Sequence, residues 1–519
     1  MSWHRITVAL GLFAVLMASM LMLGADGVYA ADTLSRPDTT GDVGRWTSVA
    51  LDSSNFPVVA YFDETNETLK VLHCGTTTCS SGNSIETISG TGDVVDYSVA
   101  IQVAADGHPL VAFSNKSYDL NLLHCGDADC SSGNTINIVD DASTYGVGNY
   151  LGWYVSMVLD DSGFPAISYQ HMRGSLYEFE PKIARCDDVE CSTPTVTILD
   201  EPALGLRSGF GNSLALDAAG NPVISFLDSD VWVLHCDETD CTGTNSLEDI
   251  GDGSGSPSSY RSIQSGLVLD GSGYPIVAFQ DDNLHLRVVH CNDVNCDPAV
   301  NGAESSVEVD DIGPTGLYVS MAWDDDDDVP VIAYHSHTFG DLKVLRCGNA
   351  SCSSGNTTTT VERPDHAGAY TSIRLNPTND KPVISHNYQD PEDLGVAICN
   401  SVSCDGLPVD TDQDGCTDAQ EDTQGTDKDE FWDIYDTPNE FGHRDRAVTV
   451  EDVYRVIDRV GTTGDPDADP FAPPPDGTSY HSAFDRQVVG GKLVKGDGEI
   501  TLSIDVLQAA YQADVIDCS

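Results

Sequence analysis

The twelve residues from Asp410 to Glu421 set oxygen ligands where a hard divalent cation needs them. Asp410, Asp412 and Asp414 stand at positions one, three and five, Gly415 at six, Cys416 at seven, Asp418 at nine and Glu421 at twelve. Ca2+ takes oxygen ligands at this spacing, uses only the backbone carbonyl at position seven, and needs a glycine at six for the sharp turn. The pattern predicts a calcium site, and calcium is the cofactor the chain implies. The flanks do not read as two helices, so the loop is expected outside a helix–loop–helix pair.

A second chemical pattern is Cys-x4-Cys, found seven times: Cys74/Cys79, Cys125/Cys130, Cys186/Cys191, Cys236/Cys241, Cys291/Cys296, Cys347/Cys352 and Cys399/Cys404. His73, His124, His235 and His290 precede four of the pairs, which invites a zinc reading. A structural zinc needs four ligands at one point, and pairs this far apart along the chain would be spread around the molecule. Two Cys flanking a four-residue turn are close enough to bridge, and in an oxidising compartment they would. Disulfides are therefore expected, each stabilising by about 2 kcal/mol in the chain-entropy model. The His column is expected to be solvated.

The pairs belong to a repeat. Steps from first Cys to first Cys are 51, 61, 50, 55, 56 and 52 residues. A Pro recurs at 57, 109, 165, 222, 275, 330 and 382, with Tyr61, Phe113, Tyr169, Phe226, Phe279, Tyr334 or His386 four residues on. Upstream runs a column of small residues: Ser48, Ala100, Ser156, Ser213, Gly266, Ser320 and Ser372. Each unit reads as four short β-branched segments separated by turns, without helical periodicity. Seven units of four antiparallel strands predict a mainly β chain folded as a seven-bladed β-propeller. Small residues then suit the first strand near the axis, Pro the start of strand two, and the aromatic the space between blades. The seventh unit lacks a fourth strand. The N-terminal segment matches the stretch before unit seven at Thr33/Thr360, Arg36/Arg363, Pro37/Pro364 and Asp38/Asp365. Residues about 31–36 are thus expected to complete the last blade and close the ring, which removes exposed edges. An open superhelix is the alternative.

The chain has 519 residues with 24 Lys+Arg against 83 Asp+Glu, a formal charge of −59. That charge argues against a nucleic-acid partner or adhesion to anionic lipid, since both need clustered cations. His4 and Arg5, the apolar run Ile6 to Leu23 and Val28-Tyr29-Ala30 read as a signal peptide over 1–30. An uncleaved anchor is the alternative. The expected organisation is signal peptide 1–30, propeller 31–407 and a small, mostly α C-terminal domain 408–519, secreted as a monomer with no membrane contact after cleavage.

The calcium loop resembles those of thrombospondin type 3 repeats. Arg444 to Gly461 and Lys495 to Asp514 look like two copies of one unit, each with an Asp, a Thr (Thr449, Thr501) and an amphipathic helix entered near Asp452 or Asp505. The arrangement is similar to a dockerin module, which implies a cohesin-like partner and calcium at positions one, three, five and twelve of each loop. Here Phe441, His443, Leu493 and Lys495 occupy positions one and three, leaving Asp445 and Asp452 in the first copy and Asp497 and Asp505 in the second. Asp497 and Asp505 form a candidate second metal loop. Cys416 and Cys518 are expected to pair and tie the region's ends. The whole resembles secreted bacterial propeller repeat proteins with a calcium-loop or dockerin-like module.

No nucleophile elbow, H-E-x-x-H motif, phosphate loop or sialidase box occurs, and Arg185, Arg207, Arg261, Arg287, Arg346 and Arg374 fall in different columns. Regular repeats without a unit that bears chemistry predict a non-enzymatic binding or scaffold protein, with an extracellular glycan or protein as partner. The alternative is a polysaccharide-acting enzyme, glycosidase, sialidase-like or lyase. It requires a deep polar channel with two carboxylates close together.

Overall fold

The computed structural model describes residues 32–404, apart from 91–93, 175–177, 200–207, 254–263, 302–303 and 364–365. Beyond 404 it describes 436–437, 444, 448–464, 466, 479–489, 492–495, 500–501, 505, 509 and 512. The predicted signal peptide and the calcium loop lie outside these residues.

Seven four-stranded antiparallel sheets form the propeller. In blade one, strand one is Val43–Leu51, strand two Pro57–Asp63, strand three Thr68–His73 and strand four Ser84–Thr87. Strand two, covered on both faces by neighbouring blades, is buried at every residue and reads as a continuous apolar run; strand four lies at the rim, part-exposed. The hydrophobic core is accordingly a set of inter-blade clusters. One joins Val58, Ala60 and Phe62 of blade one to Val99, Val111 and Phe113 of blade two.

The ring closes as expected. Thr33–Asp38 pairs with Leu394–Ile398 as the fourth strand of blade seven. Its register differs from the sequence match by three residues. Thr33 faces Ile398, the residue before the Cys, as Thr357 faces Arg346 in blade six; Asp38 stands opposite Leu394 as Glu362 stands opposite Leu342. Gly44 and Gly368 agree with this register. Both have φ near +90°, and a Cβ on either would press the backbone of that same strand-three residue, Leu394 or Leu342.

The Cys pairs are all bonded: Cys74–Cys79, Cys125–Cys130, Cys186–Cys191, Cys236–Cys241, Cys291–Cys296, Cys347–Cys352 and Cys399–Cys404, with Cα–Cα distances of 4.7 to 5.0 Å. Each pair flanks a four-residue turn between strands three and four, as expected, and the second Cys of each has a special backbone. Cys79, Cys130, Cys191, Cys241, Cys296, Cys352 and Cys404 all take left-handed backbone, with φ between 50° and 57°. Each donates its N–H to the carbonyl three residues back, as Cys79 does to Thr76 at 3.0 Å and Cys352 to Asn349 at 3.0 Å. A turn closed in this way must still bring its last Cβ back to the first Cys, and the positive φ does so. Non-glycine residues hold such a conformation only where the surroundings impose it, and here the bridge and the turn hydrogen bond both do.

The other repeat columns also have specific partners. Each Pro turns its carbonyl to the first Cys of its own blade, as in Cys74 N to Pro57 O at 2.9 Å and Cys399 N to Pro382 O at 2.9 Å. The small column is Ser-rich for a reason beyond size. Ile101, Leu214, Ile373 and Val49 donate their backbone N–H to Ser48, Ser156, Ser320 and Ser372 of the preceding blade at 3.1–3.2 Å, which stitches the inner strands across the ring.

Three blades share a buried polar lock where the Pro+4 residue is Tyr. Tyr61, Tyr169 and Tyr334 each donate to an Asp at the end of the preceding blade's fourth strand: Asp38, Asp140 and Asp310, at 2.8, 2.6 and 2.5 Å. Lys70, Lys182 and Lys343 reach the same carboxylates at 2.9, 2.6 and 3.1 Å. Burial and the facing carboxylate push each tyrosine hydroxyl far up from its ordinary value. Where the column is Phe, the lysine position holds Asn121, Trp232 or Arg287 instead. Among the described residues no helix is long and apolar enough to cross a membrane.

Candidate functional site

The first strands line a central channel of about 370 Å3. Near the end where these strands begin, a bulge precedes the Ser column in several blades, with register shifts between Arg45 and Ser48, Trp153 and Ser156, Leu317 and Ser320, and Ala369 and Ser372. The bulged residues are Trp46, Tyr154, Tyr318 and Tyr370, all with φ between 51° and 54°. Non-glycine residues in this region cost of order 1–3 kcal/mol each and persist only where the surroundings hold them. Here the bulge re-aims four aromatic rings towards the axis. Trp46 packs at 4.7 Å against Tyr370 with the rings tilted, meets Tyr154 edge-on at 6.0 Å, and Tyr318 lies 4.6 Å from Tyr370. Residues from blades one, three, six and seven thus converge across the ring and cap the channel.

Beside this cap stands a cluster of charge at the junction of blades seven and one. Arg45, one residue before Trp46, grips Asp42 with two hydrogen bonds, Nε to Oδ1 at 3.2 Å and Nη2 to Oδ2 at 2.9 Å. Its Nη2 also reaches Glu392 Oε1 at 3.1 Å, and its Nη1 lies 3.8 Å from Glu64 Oε2. The backbone fixes all three acids. Glu64 N donates to Asp42 O, Val43 N donates to Glu392 O, and Asp42 N donates to Thr65 Oγ1. Burial, then the hydrogen bond and charge of Glu392, raise the Asp42 carboxyl from 3.8 to about 7 despite Arg45. One guanidinium cannot neutralise three carboxylates, so the cluster holds a proton more tightly than an isolated acid would. A protonated carboxyl beside further carboxylates, an Arg and an aromatic platform can give a proton to a leaving oxygen and stabilise positive charge next to it. Glu64 and Glu392 are each about two-fifths exposed, so the cluster opens to solvent.

The sequence hid this cluster. Asp42, Glu64 and Glu392 are three acids among 83, in turns of different type and far apart in the chain. The only local signal was Arg45 next to an aromatic at the start of the first repeat.

At the other end of the strands, the His column is not solvated as expected. His73, His235 and His290 bond Asp52, Asp217 and Asp270 of their own blade's first turn at 3.2, 3.0 and 2.9 Å; Arg185 and Arg346 pair equivalently with Asp160 and Asp324. Each carboxylate also caps its turn, as Asp217 does for Ala219 N and Asn221 N. The column therefore ties strand three to the turn between strands one and two. In the turn Asp324 to Asp328, Asp324 is buried by this pairing while the other four are exposed. Asp106, His108 and His124 come within ligand distance of one another, but as an ordinary pair of such contacts at the surface.

The Cys residues beside this column take no part in a site. Cys79, Cys130, Cys191, Cys241, Cys296 and Cys352 are buried and have their sulfurs in bridges to Cys74, Cys125, Cys186, Cys236, Cys291 and Cys347, so none is a thiolate ligand for zinc. The same holds for Cys399 and Cys404.

Of the residues singled out as ligands, Asp410, Asp412, Asp414, Cys416, Asp418, Glu421, Asp497 and Cys518 lie outside the described residues. Asp505 is described, and its oxygens are taken. Oδ2 accepts from Thr501 N at 2.6 Å and Oγ1 at 3.1 Å, and Oδ1 accepts from Arg486 N at 2.8 Å. Asp452 does the same with Thr449 N and Oγ1 and Thr437 N, and caps the helix Val450–Ile457. The two copies thus share a capping Asp, whose bonds are structural.

No family model and no curated protein matches the chain. Among solved structures, it is similar to the GH93 alpha-L-arabinofuranosidase of Fusarium graminearum with arabinobiose: 10% identity, 64% of this chain, 98% of that one, TM-score 0.39. It is similar to the polysaccharide lyase Uly1, at 7% identity over 69% of this chain and 89% of that one, TM-score 0.42. It is also similar to an Aleuria aurantia lectin mutant in complex with Fucalpha1-6GlcNAc, at 11% identity over 61% and 95%, TM-score 0.38. The expectation of a non-enzymatic scaffold is corrected here. The solved structures like this chain include arabinan-cleaving enzymes and a polysaccharide lyase beside lectins. The premise that no unit bears chemistry also fails at the Asp42 cluster. Likeness at this level transfers no residue roles, so the chemistry is argued from the cluster itself.

Proposed function

We propose that the protein is a polysaccharide-acting enzyme whose site lies at the rim of the channel, around Asp42. The observation that supports this is the gathering of three carboxylates, Asp42, Glu392 and Glu64, around the single guanidinium of Arg45. Asp42 acts as general acid and protonates the oxygen of the bond that breaks. An ionised neighbour, Glu392 or Glu64, faces the carbon left electron-poor, either directly or through water. Arg45 positions the acids, and the half-buried Tyr370, packed on Trp46 next to Arg45, offers a ring for a sugar face. The products are two shorter glycans, one with a new reducing end if water is the acceptor.

The test is release of new chain ends from a panel of neutral and acidic polysaccharides. Wild type should cleave at least one, and Asp42→Asn should lower kcat about 10²- to 10⁴-fold, the usual worth of a general acid. No cleavage of any polymer, or an Asp42→Asn rate equal to wild type, would overturn the reading.

The remaining parts of this proposal concern the chain outside the ring. Residues 408–519 form an accessory module with Ca2+ on Asp410, Asp412, Asp414, the Cys416 carbonyl, Asp418 and Glu421. The doubled capping unit at Asp452 and Asp505 supports a dockerin-like duplication that docks the enzyme on a partner. Seven disulfides support export through an oxidising compartment.

A further inference from the structure

The channel below the aromatic cap has a composition at odds with the rest of the molecule. Among the described residues that line it, none is Asp or Glu, although the chain has 83 of them. The one cation among those described lining residues is Arg374, two positions past Ser372 on the first strand of blade seven. Its Nη1 donates to the Ile373 carbonyl at 2.9 Å, and no carboxylate pairs with it among the described residues. The other polar side chains of the lining are hydroxyls and amides, besides the indole of Trp46.

The hydroxyls are oriented. The oxygens of Ser48, Ser156, Ser320 and Ser372 each accept a backbone N–H from the next blade, at 3.1–3.2 Å. A hydroxyl that accepts in this way turns its own proton elsewhere. Here the side chains line the cavity, so the protons are available to it. The ring therefore presents several O–H donors at one level and a guanidinium two residues further along the strand, with no carboxylate among the described lining residues. Desolvation in the half-buried channel wall pulls the Arg374 guanidinium below its ordinary value.

We propose that this level of the channel, built from Arg374 and the hydroxyls of Ser48, Ser156, Ser320 and Ser372, binds a small oxyanion. The recognised chemistry is a carboxylate, phosphate or sulfate oxygen pair: the guanidinium takes two oxygens in parallel and the hydroxyls take the rest. A cavity of about 370 Å3 has room for such an ion and several waters, each of about 30 Å3. The site is distinct from the Asp42 cluster, because Asp42, Arg45, Glu64 and Glu392 are not among the described residues that line the channel. It does not depend on the catalytic reading.

The experiment is calorimetric titration of the full chain at constant ionic strength with acetate, phosphate, sulfate and chloride. Constant ionic strength is needed because the −59 charge repels every anion at low salt. Saturable binding of at least one oxyanion is expected. Arg374→Met should weaken it about 10- to 100-fold, the worth of a charged hydrogen bond, and Arg374→Lys less. Asp42→Asn should leave it unchanged. Selenate soaked into crystals of the wild type should give an anomalous peak within hydrogen-bond distance of Arg374, a readout that requires no variant to fold. Chloride binding alone, no saturable binding, equal affinity in Arg374→Met, or a selenate peak only at the surface would each overturn the proposal.

Discussion

Asp42 owes its proton to the company it keeps. Its carboxyl is half-shielded from water and faces Glu392, and a single Arg45 serves three acids. The unfolded chain releases that proton near 3.8, whereas the folded one holds it to about 7. In that window the native state binds more protons than the unfolded state, so stability falls as pH rises from about 4 to about 7. Urea midpoints of wild type and Asp42→Asn across this range should show the fall in the first and a flatter line in the second; parallel lines would place the proton elsewhere. A different residue-scale prediction concerns Lys182, fully buried against Asp140 and Tyr145. Burial pulls its pKa down while Asp140 holds it up. Asp140→Asn would strand the ammonium and should cost about 3–5 kcal/mol in urea unfolding. Asp161→Asn, on an exposed turn, should stay within about 0.5 kcal/mol. Equal effects would mean that the lock between blades two and three contributes nothing.

Among the elements, the strand Thr33–Asp38 does two jobs. It covers the edge of Leu394–Ile398, and it delivers Asp38 to Tyr61 and Lys70 across the blade seven–one junction. Removing residues 32–38 should therefore lower Tm and expose a pairing edge, giving concentration-dependent association by light scattering. A truncated chain that stays monomeric and melts with wild type would show that closure does not depend on this strand. The same element shows how far the sequence can be read. The match between Arg36-Pro37-Asp38 and Arg363-Pro364-Asp365 identified the right strand in the wrong register. What sets the register is Asp38 opposite Leu394 and Gly44 pressed on the same backbone, contacts between segments some 350 residues apart. Likewise Tyr in the Pro+4 column was legible as a filler between blades. Its Asp and Lys partners were not, because they come from another strand and another blade. The Cys-x4-Cys spacing was legible as a bridge, but the left-handed backbone at Cys79, Cys130, Cys191, Cys241, Cys296 and Cys352 was not, because Cys carries no preference for it.

At the scale of the molecule, charge is partitioned. Carboxylates crowd the turns and blade edges, where they cap backbone N–H groups or pair with His and Arg, while none stands among the described residues that line the channel. The acidic loop 410–421 is the proposed calcium site in this scheme. Calorimetry of the Asp412→Ala, Glu421→Ala double variant beside wild type should show Ca2+ affinity reduced at least about 100-fold, the loss of two of the loop's carboxylate ligands. Equal affinity would refute the site.

The sequence alone determined the seven units, their four strands, the Cys pairing within each unit and the origin of the closing strand. Each of these is written locally, in spacing and in β-branched segments punctuated by Pro and Gly, and the unit recurs seven times. Only the tertiary structure decided where chemistry could occur. The Asp42 cluster gathers acids from the ring's closure, from blade one and from blade seven. The anion site gathers one Arg and four Ser from four blades. Both depend on a closed ring that brings the first strands to one axis, and no spacing along the chain encodes which of 83 acids, or which of the Arg residues in the repeats, will meet there.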